Sequence, residues 1–445
     1  MFLKLLFLIS SSDFIKKLFL FFSKKKIKFK NNLFLVKFLY FIFAPIIFVL
    51  SYFFKKKICS TYNNKKHKNR PYIYYDVTDI YYSKNINNGI SRVILSIYKE
   101  LFELSLVTFE IIPIFLDTAI NNYLFSQIDL KTGKIVKGIP KPKSGDIYLN
   151  CGISKIFLPL FYLKIFDNIF SKKNLLVVFT VHDLLPIEHS HWWPLYQSMV
   201  HKYWIQAIAI KSNILLSVSN ETQKKLKTFL QKRGLADAVI FESVSLGSNL
   251  HKDRIAASIN SSRFQPLASS INFLHVSTIE PRKGHLLLIK AFEILWKQNF
   301  NINLVLVGSI GWKNKKILDS IYSSPFLNKN LFWYSNLSDS ELIQCYRLSD
   351  VVIHPSEAEG FGLSIVEGQN FKKYIICRNI PIFREVALGD NVTFFNTDHP
   401  KTLSNIIKRL LVQRVYKRKV NVKIRDWADT TKRIIEILEK NRWKQ

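Results

Sequence analysis

The stretch Asp350-Val-Val-Ile-His-Pro-Ser-Glu-Ala-Glu-Gly-Phe-Gly-Leu-Ser-Ile-Val-Glu367 decides the fold. It begins as a short apolar run closed by Pro355, the pattern of a buried strand. It ends in a helix that starts near Leu363. Between them, Gly360 and Gly362 let the backbone come close to a ligand. The first N–H groups of the helix face the same loop, which suits an anion such as phosphate. Strand, loop and helix in this order are a unit of α/β architecture. Glu359 stands in the loop and Glu367 about two turns along the same helix face. An acid beside an anion-binding loop is out of place unless it binds something uncharged, such as sugar hydroxyls. The window taken alone also fits an ordinary glycine-rich turn with glutamates near a helix start.

Working outward, the same alternation runs through the chain from residue 70. In the first half the predicted strands are Tyr72 to Asp76, Phe109 to Phe115, Asp146 to Asn150, Leu175 to Val181 and Ile214 to Val218. Helices are expected from Gly89 to Leu104 and from Glu221 to Lys232. In the second half the strands are Ile271 to Val276, Asn303 to Val307, Leu331 to Tyr334, the run after Asp350, and Tyr374 to Cys377. Further helices are expected from Gly284 to Gln298, from about Ser338, from Thr402 to Gln413 and from Lys423 to Asn441. Strands alternating with helices argue for parallel sheets. Two such sheets imply a cleft, with ligands at the carboxyl ends of strands. His182, Ser219, Arg282 and Glu359 all fall just past such an end. No GxGxxG fingerprint follows the first strand, which argues against a dinucleotide-dependent dehydrogenase.

The division expected on this pattern is a basic apolar segment at 1–58, a linker at 59–70 and an N-terminal Rossmann-like domain at 71–265. A C-terminal Rossmann-like domain follows at 266–400, then C-terminal helices at 401–445 that cross back to the first domain.

The 445 residues are 48% hydrophobic and 22% charged, enough for a substantial core. The net charge of +33 is concentrated. Residues 1–70 carry fifteen lysines and Arg70 against one acid, Asp13. A basic end beside apolar runs points to an anionic membrane surface, whereas a nucleic-acid binder carries its basic face on the folded domain. Phe38 to Phe54 is uncharged, interrupted by Pro45 and flanked by Lys37 and Lys55-Lys56-Lys57. It is at the lower limit for spanning a bilayer, and its flanks give no orientation. A monotopic arrangement on the cytoplasmic face is therefore expected. Met1 to Phe22 lacks a small-residue cleavage site and is broken by lysines, unlike a signal peptide. Cys59, Cys151, Cys345 and Cys377 form no CxxC pair, which fits a reducing compartment.

Three further groups carry chemistry. Arg282-Lys283 lies at a helix start, where adjacent cations are unfavourable without an anion. Such a pair grips phosphate oxygens, Arg as a fork and Lys as a point charge, although two solvated bases would read the same way. His182-Asp183 closes an apolar strand, where a histidine is either a satisfied core residue or a partner for a sugar hydroxyl. With His189 and His191 it matches no zinc spacing. Gly89, in Asn87-Asn88-Gly89-Ile90-Ser91-Arg92, either admits a substrate or simply turns the chain into a helix.

Together these residues resemble the retaining glycosyltransferases of family 4, which have the two-domain GT-B fold. The resemblance covers most of residues 70–440. It is carried by Ser277-Thr-Ile-Glu-Pro-Arg-Lys-Gly-His285, by Ser356 through Glu367, and by Pro381-Ile-Phe-Arg-Glu385. Asp76-Val-Thr-Asp79, Asn88-Gly-Ile-Ser-Arg92 and Val181-His-Asp-Leu-Leu-Pro186 look like the mannosyltransferase-type branch of bacterial surface polysaccharide synthesis.

The resemblance implies that His182 and Glu359 act at the reacting sugar. Arg282 and Lys283 would hold the donor diphosphate, and Glu367 the ribose. Thr278, Ser356, Gly360, Phe361, Gly362 and Leu363 would line the donor, and Gly89 the acceptor side. It implies no metal and no cofactor beyond a nucleotide-sugar donor, GDP-mannose, with a lipid-linked glycan as acceptor. Ser245-Leu-Gly247 departs from the family's usual Pro-x-Gly, and the Gly89 loop has one glycine where many members have two. The competing reading is a non-catalytic membrane scaffold that keeps a nucleotide-sugar-binding fold.

Overall fold

The structure, a computed structural model, describes residues 70–82, 89–104, 108–117, 124–139, 141–153, 166, 170, 175–250, 264, 267, 270–418 and 421–442. The expected membrane-associated segment at 1–58 lies outside these residues. Among the described residues no helix is long and apolar enough to cross a membrane.

Two sheets organise the chain. The first contains β1 (Tyr72–Asp76), β2 (Glu110–Asp117), β3 (Leu124–Ile128), β4 (Ile135–Val136), β5 (Ile147–Asn150), β6 (Leu176–Val181), β7 (Ile214–Ser217) and β8 (Ile240–Ser243). Their order is β4-β3-β2-β1-β5-β6-β7-β8. The strands from β2 to β8 in that order are parallel. The β3–β4 hairpin adds two antiparallel strands at the edge. The second sheet contains β9 (Ile271–Val276), β10 (Ile302–Val307), β11 (Leu331–Tyr334), β12 (Val351–His354), β13 (Tyr374–Arg378) and β14 (Val392–Phe395). Its order is β11-β10-β9-β12-β13-β14, all parallel.

The central strands are buried on both faces, so they read as continuous apolar runs. Elements that the sequence pattern missed lack such a signal. β8 and β14 are half-exposed edge strands, and β4 is two exposed residues. The helix Leu195–Lys211 has apolar residues around its whole circumference and therefore no amphipathic period.

The second sheet winds outward from β9 in both directions, so its switch point lies between β9 and β12. The loops leaving these two strands are Ser277 to Gly284 and Pro355 to Gly362. Both sequence motifs thus meet where ligands bind in such sheets.

The two halves are in contact along these loops, and one apolar cluster runs across both. The helix Trp427–Arg442 returns to the first half and packs on Gly89–Leu104. Thr430 Oγ1 donates to the Ser245 carbonyl (2.9 Å), and Trp427 N–H to Asn249 Oδ1 (3.2 Å). A Cβ on Gly247 would lie 2.0 Å from the Asp426 carbonyl oxygen. This close approach of the returning chain accounts for the glycine in Ser245-Leu-Gly247.

Candidate active site

Pro281–Lys283 forms one 3₁₀ turn after β9, and Gly284 then opens the helix His285–Lys297. Gly284 is left-handed (φ 73°), and a Cβ there would press on Pro355 at 2.9 Å. The turn aims Arg282 and Lys283 across to the loop after β12. Arg282 Nη1 donates to Glu359 Oε2 (3.0 Å) and to the Ala358 carbonyl (3.1 Å), and its Nε to Glu280 Oε2 (3.1 Å). Lys283 Nζ donates to Glu359 Oε1. The anion that the adjacent cations require is therefore supplied within the chain. Glu280 and Glu359 balance Arg282 and Lys283, and all four side chains are largely buried.

The electrostatics follow. Burial by itself would raise the Glu359 pKa, but Lys283 and Arg282 outweigh it and hold the carboxyl well below the usual range. Burial lowers the Lys283 ammonium, and Arg282 beside it adds to the effect. Beneath the cluster lie three buried histidines, His275, His285 and His354, with ring centroids 4.8 and 5.4 Å from His275. Burial depresses all three pKa values, that of His275 to about 4. They are neutral at pH 7. His275 Nε2 shares a hydrogen bond with Ser277 Oγ (2.7 Å), and His354 Nδ1 with Ser356 Oγ (3.0 Å). Ser356 is fully buried, so its hydroxyl braces the loop from below and does not face the cleft.

Glu367 differs from the expected placement. The helix Leu363–Asn370 begins only after Gly362, which is left-handed (φ 99°) and has no side-chain cap. Glu367 therefore stands about one turn along it, and Glu359 precedes it. Glu367 is 2% exposed, and both oxygens are engaged. Oε1 accepts from Arg92 Nη1 (2.7 Å) and Oε2 from the Tyr346 hydroxyl (2.6 Å). Burial raises its pKa, and Arg92 and Tyr346 only partly oppose the rise.

His182 comes close to this loop from the first half. A Cβ on Gly360 would lie 2.1 Å from the His182 carbonyl oxygen, so only glycine fits between the halves. The Gly360 carbonyl accepts from Ser219 Oγ (3.0 Å) and Thr222 Oγ1 (3.1 Å). His182 Nε2 is 2.9 Å from the Cys151 carbonyl, which requires the proton on Nε2 and leaves Nδ1 as an acceptor. Burial lowers the His182 pKa, so the ring is neutral.

Phe361 is in the core, Leu363 packs against it, and Thr278 is exposed with its methyl against Gly311. Gly89 is exposed at the start of its helix, where an added Cβ would meet open space. No close approach demands glycine there. Asn87 and Asn88 lie outside the described residues. Arg92, Tyr346 and Glu385 are contacts that sequence reasoning did not select, though Arg92 and Glu385 stood inside quoted motifs.

Residues 260–439 match the family model described as Glycosyl transferases group 1. The serotype-specific mannosyltransferase WbdA of Escherichia coli is 30% identical over 273 residues, 59% of this chain and 33% of WbdA. The O-antigen chain mannosyltransferase RfbU of Salmonella typhimurium is 24% identical over 235 residues, 52% of this chain and 60% of RfbU. The chain thus spans about a third of the length of WbdA. Among solved structures, a glycosyltransferase from Rickettsia africae superimposes with a TM-score of 0.60 at 18% identity, over 85% of this chain and all of that one. Anabaena HepE in complex with UDP and glucose gives 0.56 at 16% identity, over 83% and all. These likenesses show the fold, a GT-B architecture of two α/β domains facing each other.

Proposed function

We propose that the protein is a retaining glycosyltransferase that moves mannose from GDP-mannose to a lipid-linked glycan in the synthesis of a surface polysaccharide. The observation that carries this reading is the Arg282–Lys283–Glu359 cluster at the switch point of the second sheet, next to the Gly360 contact with His182. The names of the mannosyltransferase relatives support the sugar and the pathway class.

In this mechanism Arg282 and Lys283 grip the diphosphate, aided by the uncapped first turn of Leu363–Asn370. Glu359 then gives up its place on the cations and accepts from hydroxyls of the donor sugar. The bond from the anomeric carbon to the diphosphate oxygen breaks, and the cations stabilise the charge left on that oxygen. The same oxygen takes the proton of the acceptor hydroxyl as the new glycosidic bond forms on the face it leaves. Neutral His182, held by Cys151, accepts from a sugar hydroxyl and positions the ring. The positive charge comes from the chain itself, so the proposed reaction needs no metal. Residues 1–58 would hold the enzyme at the cytoplasmic face of the inner membrane, beside the lipid-linked acceptor.

The test is turnover of a panel of nucleotide sugars with lipid-linked acceptor. GDP-mannose should be consumed, and Arg282→Ala or Glu359→Gln should each cost about 100-fold or more. No turnover with any donor, or undiminished turnover in the variants, would overturn the reading.

A further inference from the structure

The cleft is satisfied at both ends by its own side chains. At one end the Glu359 carboxylate sits on Arg282 and Lys283, where a phosphate oxygen would sit. At the other end a guanidinium sits on Glu367. Arg92 belongs to the first domain, on the helix Gly89–Leu104, and reaches across to the second. Its Nη1 donates to Glu367 (2.7 Å) and its Nη2 to Asp339 Oδ1 (3.2 Å), at the start of the helix Asp339–Leu348. The Arg92 side chain is 20% exposed, while Glu367 beneath it is 2% exposed.

The guanidinium presents two N–H donors to the carboxylates, and a ribose cis-diol presents two O–H donors. At Glu367 itself the guanidinium places one N–H, on Oε1, while its other donor goes to Asp339, and a ribose hydroxyl binding Oε1 takes the place of that one N–H. Tyr346 keeps Oε2, so the oxygen open to exchange is Oε1, which Arg92 holds.

Building on the glycosyltransferase reading, we infer that Arg92 is a plug of the nucleoside subsite, displaced by the ribose hydroxyls of the donor when they bind Glu367. Donor binding then releases a contact between the domains. The helix Gly89–Leu104 is the element it frees. A ligand that must displace an internal competitor binds more weakly by the fraction of protein in which the site is plugged. Removing the plug therefore tightens nucleotide binding, whereas removing an ordinary binding residue weakens it.

The experiment measures the affinity of GDP and UDP for the full chain by calorimetry, with Arg92→Met beside the unmodified protein. Arg92→Met should tighten nucleoside diphosphate binding by about fivefold or more. The gain should vanish for the matching 2′,3′-dideoxy nucleotides, which have no hydroxyls to offer Glu367. Arg92→Lys, which keeps charge but not the two-pronged geometry, should fall between. Weaker or unchanged binding in Arg92→Met, or an equal gain with the dideoxy nucleotides, overturns the plug.

A second measurement uses the unmodified chain, should the variant not fold. Amide hydrogen exchange at the start of Gly89–Leu104 should quicken on saturation with GDP, and unchanged or slower exchange overturns the inference. Failure here leaves the proposed transfer standing as long as Arg282→Ala still abolishes nucleotide binding. Loss of binding to every nucleotide in the unmodified chain would strike the transferase reading itself.

Discussion

Glu359 and Glu367 come from one loop-and-helix unit, both are buried, and their pKa values move in opposite directions. Glu359 is held below the usual carboxylate range because two cations of its own domain outweigh its burial. Glu367 is pushed up because one guanidinium and one phenol do not. The ion pairs of Glu359 are all made with groups of the second domain, while Trp193 of the first lies 5.6 Å from the Arg282 guanidinium. Glu367 depends on Arg92 from the first domain, so its charge balance is tied to domain contact. The comparison separates a carboxylate whose counter-charges lie in its own domain from one whose counter-charge crosses the domain contact.

Four changes would break or sharpen that contrast. The largest effect is expected at Lys283, since removing one partner of a buried ion cluster leaves an uncompensated charge. Lys283→Met should lower folding stability by about 3–5 kcal/mol, read by denaturant unfolding. A loss no larger than that at an exposed ion pair would mean the cluster is not desolvated.

The second is a pH effect on the same region. His275 titrates near 4 when folded against an ordinary 6.5, so the unfolded chain binds more protons between those values. Its contribution is present above pH 6.5 and is lost as pH falls through about 4, to roughly 3 kcal/mol. Unfolding measured from pH 7 to 4.5 should show stability dropping with acid, and His275→Gln should flatten the slope.

The third change attacks the contact between the halves. Gly360→Ala places a methyl group against the His182 carbonyl and should force the domains apart. Transfer should fall about 100-fold, or about 3 kcal/mol in activation free energy, while nucleoside diphosphate binding survives. Undiminished transfer would mean that the closed contact is not needed for the reaction.

The smallest effect is expected at Glu385, whose carboxylate accepts from the Asn220 (2.7 Å) and Glu221 (3.0 Å) amides at the start of the helix Asn220–Gln231. Glu385→Ala removes a capping anion and should cost about 1 kcal/mol of stability. A larger loss would show that this cap, and not Arg92, is the main tie between the domains.

Much of the fold was legible. The helix Gly89–Leu104 and the strands from Tyr72 and Ile271 lie where the apolar period puts them. The β3–β4 hairpin, β8 and β14 were not legible, because edge strands bury too little to show a pattern. The site was legible as positions but not as partnerships. Arg282, Lys283, Glu359 and Glu367 were picked from strand ends and loop glycines. The sequence suggested a phosphate for the two cations, and the structure puts Glu359 there. The resemblance implies that Ser356 lines the donor, and the structure buries it on His354.

From its sequence alone this chain determines its strand–loop–helix units, the left-handed glycines that turn them and the basic apolar character of its first 58 residues. These follow from backbone sterics and from the spacing of apolar residues, which act over a few positions. Only the tertiary structure decides that Lys283 meets Glu359, 76 residues away, and that Arg92 meets Glu367, 275 residues away. A buried charge has no partner preference written beside it. It takes whichever opposite charge the packing of distant segments brings within reach, because leaving it unpaired in a low-dielectric interior costs several kcal/mol.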